Sequence, residues 1–186
     1  METSLNSMSE TNELNEANNI AEADMTGLAE QSDENSDKRF SEEVKLSVLK
    51  GLLNQTFHLE DKDLRTYSPL TLAYIGDGVY ELVIRTILVK KGNCPVNRLH
   101  KKASSLVKAA AQSGIMEIIE KELTPEELSV YRRGRNAHSP TMAKHATMAD
   151  YRRATGFEAL MGYLYLKEEY TRMITLIRMG IGEEIL

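Results

Sequence analysis

Beyond about residue 40, every strong pattern in the chain repeats with the period of a helix, and none alternates in the manner of a strand. The longest run begins at Ser68-Pro69. Here the serine hydroxyl is placed to cap free backbone N–H groups, and proline takes the first helical position, where its missing N–H costs nothing. Apolar Leu72, Ile75, Val79, Leu82 and Val83 then recur at intervals of three and four, which predicts a helix to about Val89, ended by Gly92 and Pro95. Further helices are expected over 44–53, over 96–112, over "IMEIIEKEL" after the break at Gly114, over "ADYRRATGFEALMGYLYLKEE" and over "TRMITLIRMGIGEEI". Another should start at Thr124, with Pro125 next and Glu127 closing a capping box, and end near Gly134. Residues 135–147, "RNAHSPTMAKHAT" with the proline Pro140 inside, have no clear period and read as a long basic loop of the kind that carries function. The expected fold class is all-α.

Charge divides the chain in two. Residues 1–39 hold ten acidic and two basic residues, a net −8 against −5 for the whole chain, so residues 40–186 carry a net +3. The first segment has too few large apolar side chains to offset its ordering entropy and reads as a disordered acidic tail, leaving residues 40–186 as the folded domain. The positive charge of that domain is clustered, in "VKKG", "RLHKK", "YRRGR" and "YRR", as a phosphate footprint requires, although for any single cluster a solvated helix face is the first reading. With the single cysteine Cys94 the chain makes no internal disulfide and no multi-cysteine metal site. It shows neither a secretion signal nor an apolar run of membrane-spanning length, and the expected compartment is the cytoplasm.

Two acidic residues sit oddly in this pattern. Asp77 stands between Gly76 and Gly78 in an apolar helix, and Glu158 follows Gly156-Phe157 and precedes Ala159 in another. Each interior glycine costs about 1 kcal/mol against alanine, so those positions need a reason, and small residues admit a second backbone, a nucleic acid or an ion. A buried pair of carboxylates, one from each of two packed helices, is a minimal oxygen site for Mg²⁺, which takes hard oxygen ligands and keeps several waters. The competing reading pairs Asp77 and Glu158 with arginines such as Arg85 or Arg153, and on spacing alone the two stand level. Glu81, one turn after Asp77, reads as a helix-surface residue. The tyrosines Tyr74, Tyr80, Tyr163 and Tyr165 read as core-edge residues. His100, His138 and His145 lack the spacing of metal ligands.

At these residues the chain resembles a family. "LAYIGDGVYE" is similar to the signature helix of ribonuclease III catalytic domains, and "TGFEALMGYLYL" to their second acidic motif. "LHKKASSLVKAAAQ", "RRGRNA" and "YRRATGFEALMGYLYL" are closer still to Mini-ribonuclease III, the bacterial branch that has the catalytic domain without a double-stranded-RNA-binding domain. The likeness covers roughly residues 66–180. It implies a homodimeric helical bundle that uses Mg²⁺ to cut double-stranded RNA into 5′-phosphate and 3′-hydroxyl ends and matures the ends of the 23S ribosomal RNA precursor, with a ribosomal protein as the possible helper. By position it implies Asp77 and Glu158 as the catalytic and metal-holding pair. The longer members of the family carry three further acids, where this chain has Leu70, Ala73 and Thr155. With no separate RNA-binding module the domain must grip the duplex itself, and Lys101, Lys102, Arg132, Arg133, Arg135 and Lys144 are the expected phosphate contacts, with the 135–147 loop against the minor groove. Two other readings remain: a module that holds ribosomal RNA without cutting it, and a metal-dependent hydrolase of small phosphate esters.

Overall fold

A computed structural model describes residues 48–138 and 147–182 of the chain. The expected acidic tail and its boundary at residue 40 lie outside the described residues, as does 139–146 of the expected loop. The chain divides into two compact units, one ending at Leu59 and one beginning at Glu60. In the first, residues 48–57 form the described part of α1, whose Leu49, Leu52 and Phe57 are exposed.

Among the described residues of the second unit all regular structure is helical. A 3-10 turn at Leu64–Thr66 precedes α2 (Pro69–Lys90), α3 (Val96–Val107) and α4 (Ala109–Ile119). A second 3-10 turn at Glu120–Glu122 leads to α5 (Pro125–Arg135), α6 (Met148–Leu166) and α7 (Tyr170–Ile181). The all-α expectation therefore holds. Local chemistry sets the helix starts: the Ser68 hydroxyl accepts from the Thr71 N–H at 3.1 Å, and Thr124 and Glu127 close the expected capping box. The Thr147 hydroxyl caps α6 in the same way, accepting from the Asp150 N–H at 3.0 Å.

α6 is the central rod. From Ala154 to Leu164 every residue except Glu158 is buried, and α2, α4, α5 and α7 pack around it. Phe157, Leu160, Met161 and Leu164, the stripe expected from the sequence, are almost fully enclosed; each such side chain contributes about 1.5–3 kcal/mol by leaving water. Tyr80 of α2 meets Phe157 edge to face, with ring centroids 4.9 Å apart, so it is a core residue rather than a core-edge one. An ion pair ties α5 to α7: the Arg172 guanidinium donates to both carboxylate oxygens of the buried Glu127, at 2.8 and 2.9 Å, and to the Glu122 carbonyl at 2.7 Å.

Two expectations are corrected. The helix expected over 96–112 breaks at Lys108, whose ψ of 151° is extended, and α4 then runs straight through Gly114. Tertiary contacts decide this. The Tyr80 hydroxyl donates to the Leu106 carbonyl at 3.2 Å, satisfying one of the acceptors that the end of α3 leaves open, while α4 turns Ile115, Met116 and Ile119 into the core. The second correction is Leu82, expected in the buried stripe of α2, which is exposed together with Tyr74 and Val89.

Candidate active site

The site begins with a backbone contact. At the crossing of α2 and α6, a β-carbon on Gly76 would fall 1.8 Å from the Glu158 carbonyl oxygen, and one on Gly162 would fall 2.0 Å from the Leu72 carbonyl oxygen. Only hydrogen at these two positions lets the helices approach so closely. Gly78 differs: its β-carbon would meet nothing within 4 Å. Gly156 serves another neighbour, with the Tyr131 ring of α5 2.6 Å from where its β-carbon would lie.

This crossing brings Asp77 and Glu158 to one cleft of about 650 Å³. The expectation of a buried pair is corrected in part. Glu158 is half-buried on the central helix, whereas Asp77 is an exposed residue at the rim. Burial first, and the neighbouring Asp77 charge second, push the Glu158 carboxyl up to about 7. The Asp77 carboxyl is also raised, by the protein flanking it and then by Glu81. Only the Glu158 shift thus records the nearness of the other acid.

The arginines expected in the competing reading are engaged elsewhere. Arg85 binds Glu81 at 2.8 Å, four residues away on α2, and Arg153 binds Glu117 of α4. Among the described residues neither Asp77 nor Glu158 has an ion-pair partner. Leu70, Ala73 and Thr155 line the same cleft, so the three positions at which longer family members carry acids do face this site, and here they bring no charge to it. The Thr155 hydroxyl is spent inside its own helix, donating to the Tyr151 carbonyl at 3.0 Å.

This donor set fits a hard divalent cation that keeps much of its water. Among the described residues no three histidine, cysteine or acidic side chains cluster as metal ligands. Two carboxylates leave the remaining positions to solvent and to substrate oxygens, as Mg²⁺ prefers. They would suit Zn²⁺ poorly, which takes nitrogen and sulfur ligands in a closed tetrahedron.

The expected cationic contacts are not gathered in one place. Arg132 and Arg133 are exposed on the last turn of α5, and Arg135 lays its guanidinium over the Tyr131 ring, 5.7 Å from the centroid. This turn lies against the stretch of α6 that carries Glu158, through Gly134, whose β-carbon would sit 2.7 Å from that of Ala159. Lys101 and Lys102 are exposed on α3. Lys102 joins Lys91 and Arg98 around a second, smaller cavity of about 170 Å³ at the far end of α2. Lys144 and His145 lie outside the described residues, while His100 and His138 are exposed.

Sequence reasoning missed two residues of the site. Tyr151 lines the cleft from the first turn of α6. Gln112 of α4 is fully buried and directs its amide toward Glu158, yet both amide atoms lack a well-aligned hydrogen-bond partner. A long polar side chain after three alanines, Ala109 to Ala111, does not by itself single out Gln112 in the sequence.

Residues 70–169 match the ribonuclease III domain family. The chain is 50% identical over 122 residues to the Mini-ribonuclease 3 of Clostridium tetani, covering 65% of this chain and 81% of that one. It is 45% identical over 131 residues to the Mini-ribonuclease 3 of Thermoanaerobacter, covering 70% and 92%. A crystal structure of a Fusobacterium nucleatum protein, 32% identical, superposes with a TM-score of 0.60 over 65% of this chain and 93% of that one.

Proposed function

From the premise that this chain belongs to the ribonuclease III family, on its Mini-ribonuclease III branch, and is an endoribonuclease, we propose that it cuts double-stranded RNA with Mg²⁺ held by Asp77 and Glu158. The observation that carries this reading is the meeting in one open cleft of two carboxylates that have no ion-pair partner among the described residues. A bound Mg²⁺ supplies a water acidified for attack on the phosphodiester and neutralises charge at the leaving 3′ oxygen. The chain's own part is to hold the two carboxylates on helices locked together at Gly76 and Gly162, so that their spacing does not drift. The cleft is wide, and its walls at Leu70 and Ala73 are uncharged, so a polyanion meets little repulsion beyond the two carboxylates themselves.

A duplex needs two cuts, and a two-fold pair of chains offers two centres related as the strands are. The exposed apolar side chains Tyr74, Leu82 and Val89, which recur along α2 on the side of Gly78, support a homodimer. The cations of α3 and α5 are the phosphate contacts in this reading. The 23S ribosomal RNA precursor is the proposed substrate, the cytoplasm the proposed compartment and a ribosomal protein the proposed helper. Among the described residues no helix is long and apolar enough to cross a membrane.

The test is incubation with a duplex RNA and Mg²⁺, with Asp77→Asn as control. Cleavage by the parent protein and its loss in the variant are expected. Cleavage untouched by the substitution removes Asp77 from the site. Binding without cleavage would fit an RNA-holding module, and neither binding nor cleavage would leave the small-ester hydrolase.

A further inference from the structure

Gln112 lies on the face of α4 that also buries Ile115, Met116 and Ile119, and that face packs on α6. It is fully enclosed, and its Nε2 and Oε1 both lack an aligned partner among the described residues. An amide buried in this way gives up its water hydrogen bonds and is not repaid, so an aliphatic side chain of similar length would stabilise the fold better. The amide lies beside the Glu158 carboxyl, the one non-buried residue of the central stretch of α6 and the inner member of the acidic pair. A carboxylate that holds a cation only accepts, so the amide atom able to serve it is the donor, Nε2.

We propose that Gln112 is a positioning residue for this site: its Nε2 donates to one oxygen of Glu158, fixes the rotamer of that side chain, and leaves the other oxygen directed into the cleft for the divalent cation. The inference rests on the reading of Asp77 and Glu158 as the metal-holding pair. Glu158 has no arginine partner among the described residues, and the Thr155 hydroxyl beside it is committed to the Tyr151 carbonyl. A carboxylate at the end of a flexible stem otherwise samples several rotamers, and the group that orients a metal ligand commonly governs affinity as strongly as a ligand does.

The experiment uses full-length protein, with Gln112→Met, which keeps length and removes both polar atoms, and Gln112→Leu as a second variant. Three quantities are read: the thermal unfolding midpoint in chelator, Mn²⁺ binding by calorimetry without RNA, and kcat and KM on a duplex RNA. The expected result is a midpoint equal to or above that of the parent. Mn²⁺ binding should weaken by about 10- to 100-fold, with a matching loss in kcat and an unchanged KM for RNA. Mn²⁺ affinity and kcat within twofold of the parent in a folded variant overturn the proposal. Loss of folding in both variants makes Gln112 a structural residue and overturns it too. The underlying reading fails separately: if Asp77→Asn binds Mn²⁺ and cleaves as the parent does, the acidic pair is not the metal site and the inference falls with it.

Discussion

Gly76 rests directly on the backbone of Glu158, with the carbonyl oxygen of Glu158 only 1.8 Å from where a β-carbon on Gly76 would stand. The obstacle is backbone, so no side-chain rotation relieves it. Gly76→Ala must therefore separate α2 from α6, at a cost of about 3 kcal/mol or more, and moves Asp77 away from Glu158 in the same step. Urea denaturation with Mn²⁺ calorimetry checks both consequences. Gly114→Ala is the control: midway along α4, with open space around its β-carbon and alanine the better helix former, it should raise stability by about 0.5–1 kcal/mol. Equal stability losses at the two glycines would refute this account of the crossing.

Much of the fold was legible because its signals are local. Ser68-Pro69 and Thr124-Pro125 with Glu127 cap their helices through atoms within three residues, so their starts could be read directly. The break at Lys108 could not be read, since it depends on Tyr80 reaching the Leu106 carbonyl 26 residues away. Asp77 and Glu158 stood out because glycine and a carboxylate both violate an apolar helical pattern. Which arginine binds which acid was open on spacing alone. Arg153 could meet Glu158 or Glu117 from its helix, and the packing of α4 on α6 selects Glu117. Gln112 left no signal because a lone glutamine has no period, and its burial beside Glu158 exists only in the assembled core.

The raised Glu158 carboxyl makes stability depend on pH in a definite direction. Folding moves it from an ordinary 4.5 to about 7, through burial and then Asp77. The folded protein holds this proton more tightly than the unfolded chain does. Its contribution is therefore complete at low pH and is lost as pH rises through about 7. In chelator, the stability of the parent should fall between about pH 5 and 8 relative to Glu158→Gln, by on the order of 2 kcal/mol. Mn²⁺ at pH 8 should restore it, because the cation takes the place of the proton. Parallel pH profiles for the two proteins would show that Glu158 is not perturbed in this way.

The Glu127–Arg172 pair predicts a large effect far from the cleft. Glu127 is buried, both of its oxygens accept from the guanidinium, and one also accepts from the Thr124 N–H at 2.8 Å. Truncation at Glu127→Ala removes an ion pair and a helix cap together, so a loss of about 3 kcal/mol is expected. The Arg172 side chain holds the Glu127 carboxyl below its usual range, so this stabilisation is present at neutral pH and is lost as pH falls through the depressed value. Chemical denaturation at neutral pH measures the loss, and Mn²⁺ affinity of the folded fraction should not change. A cost under about 1 kcal/mol would mean that the pair behaves as an exposed one.

The two cationic groups make separable predictions for RNA. Arg132 and Arg133 project from a helix end that lies against the Glu158 segment, whereas Lys102 sits with Lys91 and Arg98 near the other end of α2, about 20 Å along that helix from Asp77. Duplex binding, measured in chelator so that the RNA stays intact, should weaken steeply with salt because each phosphate contact releases counterions. Arg132→Ala with Arg133→Ala should lower both the affinity and the slope of its logarithm against log salt, by roughly 0.9 for each contact removed. Lys101→Ala with Lys102→Ala should do the same if the duplex extends along α2 from the cleft, and the four changes together should add, since the groups lie too far apart to share a phosphate. If the α5 pair lowers the slope and the α3 pair does not, the RNA crosses the cleft toward α5 and leaves the far cavity unused. If neither pair changes affinity or slope, the duplex is held by residues other than these.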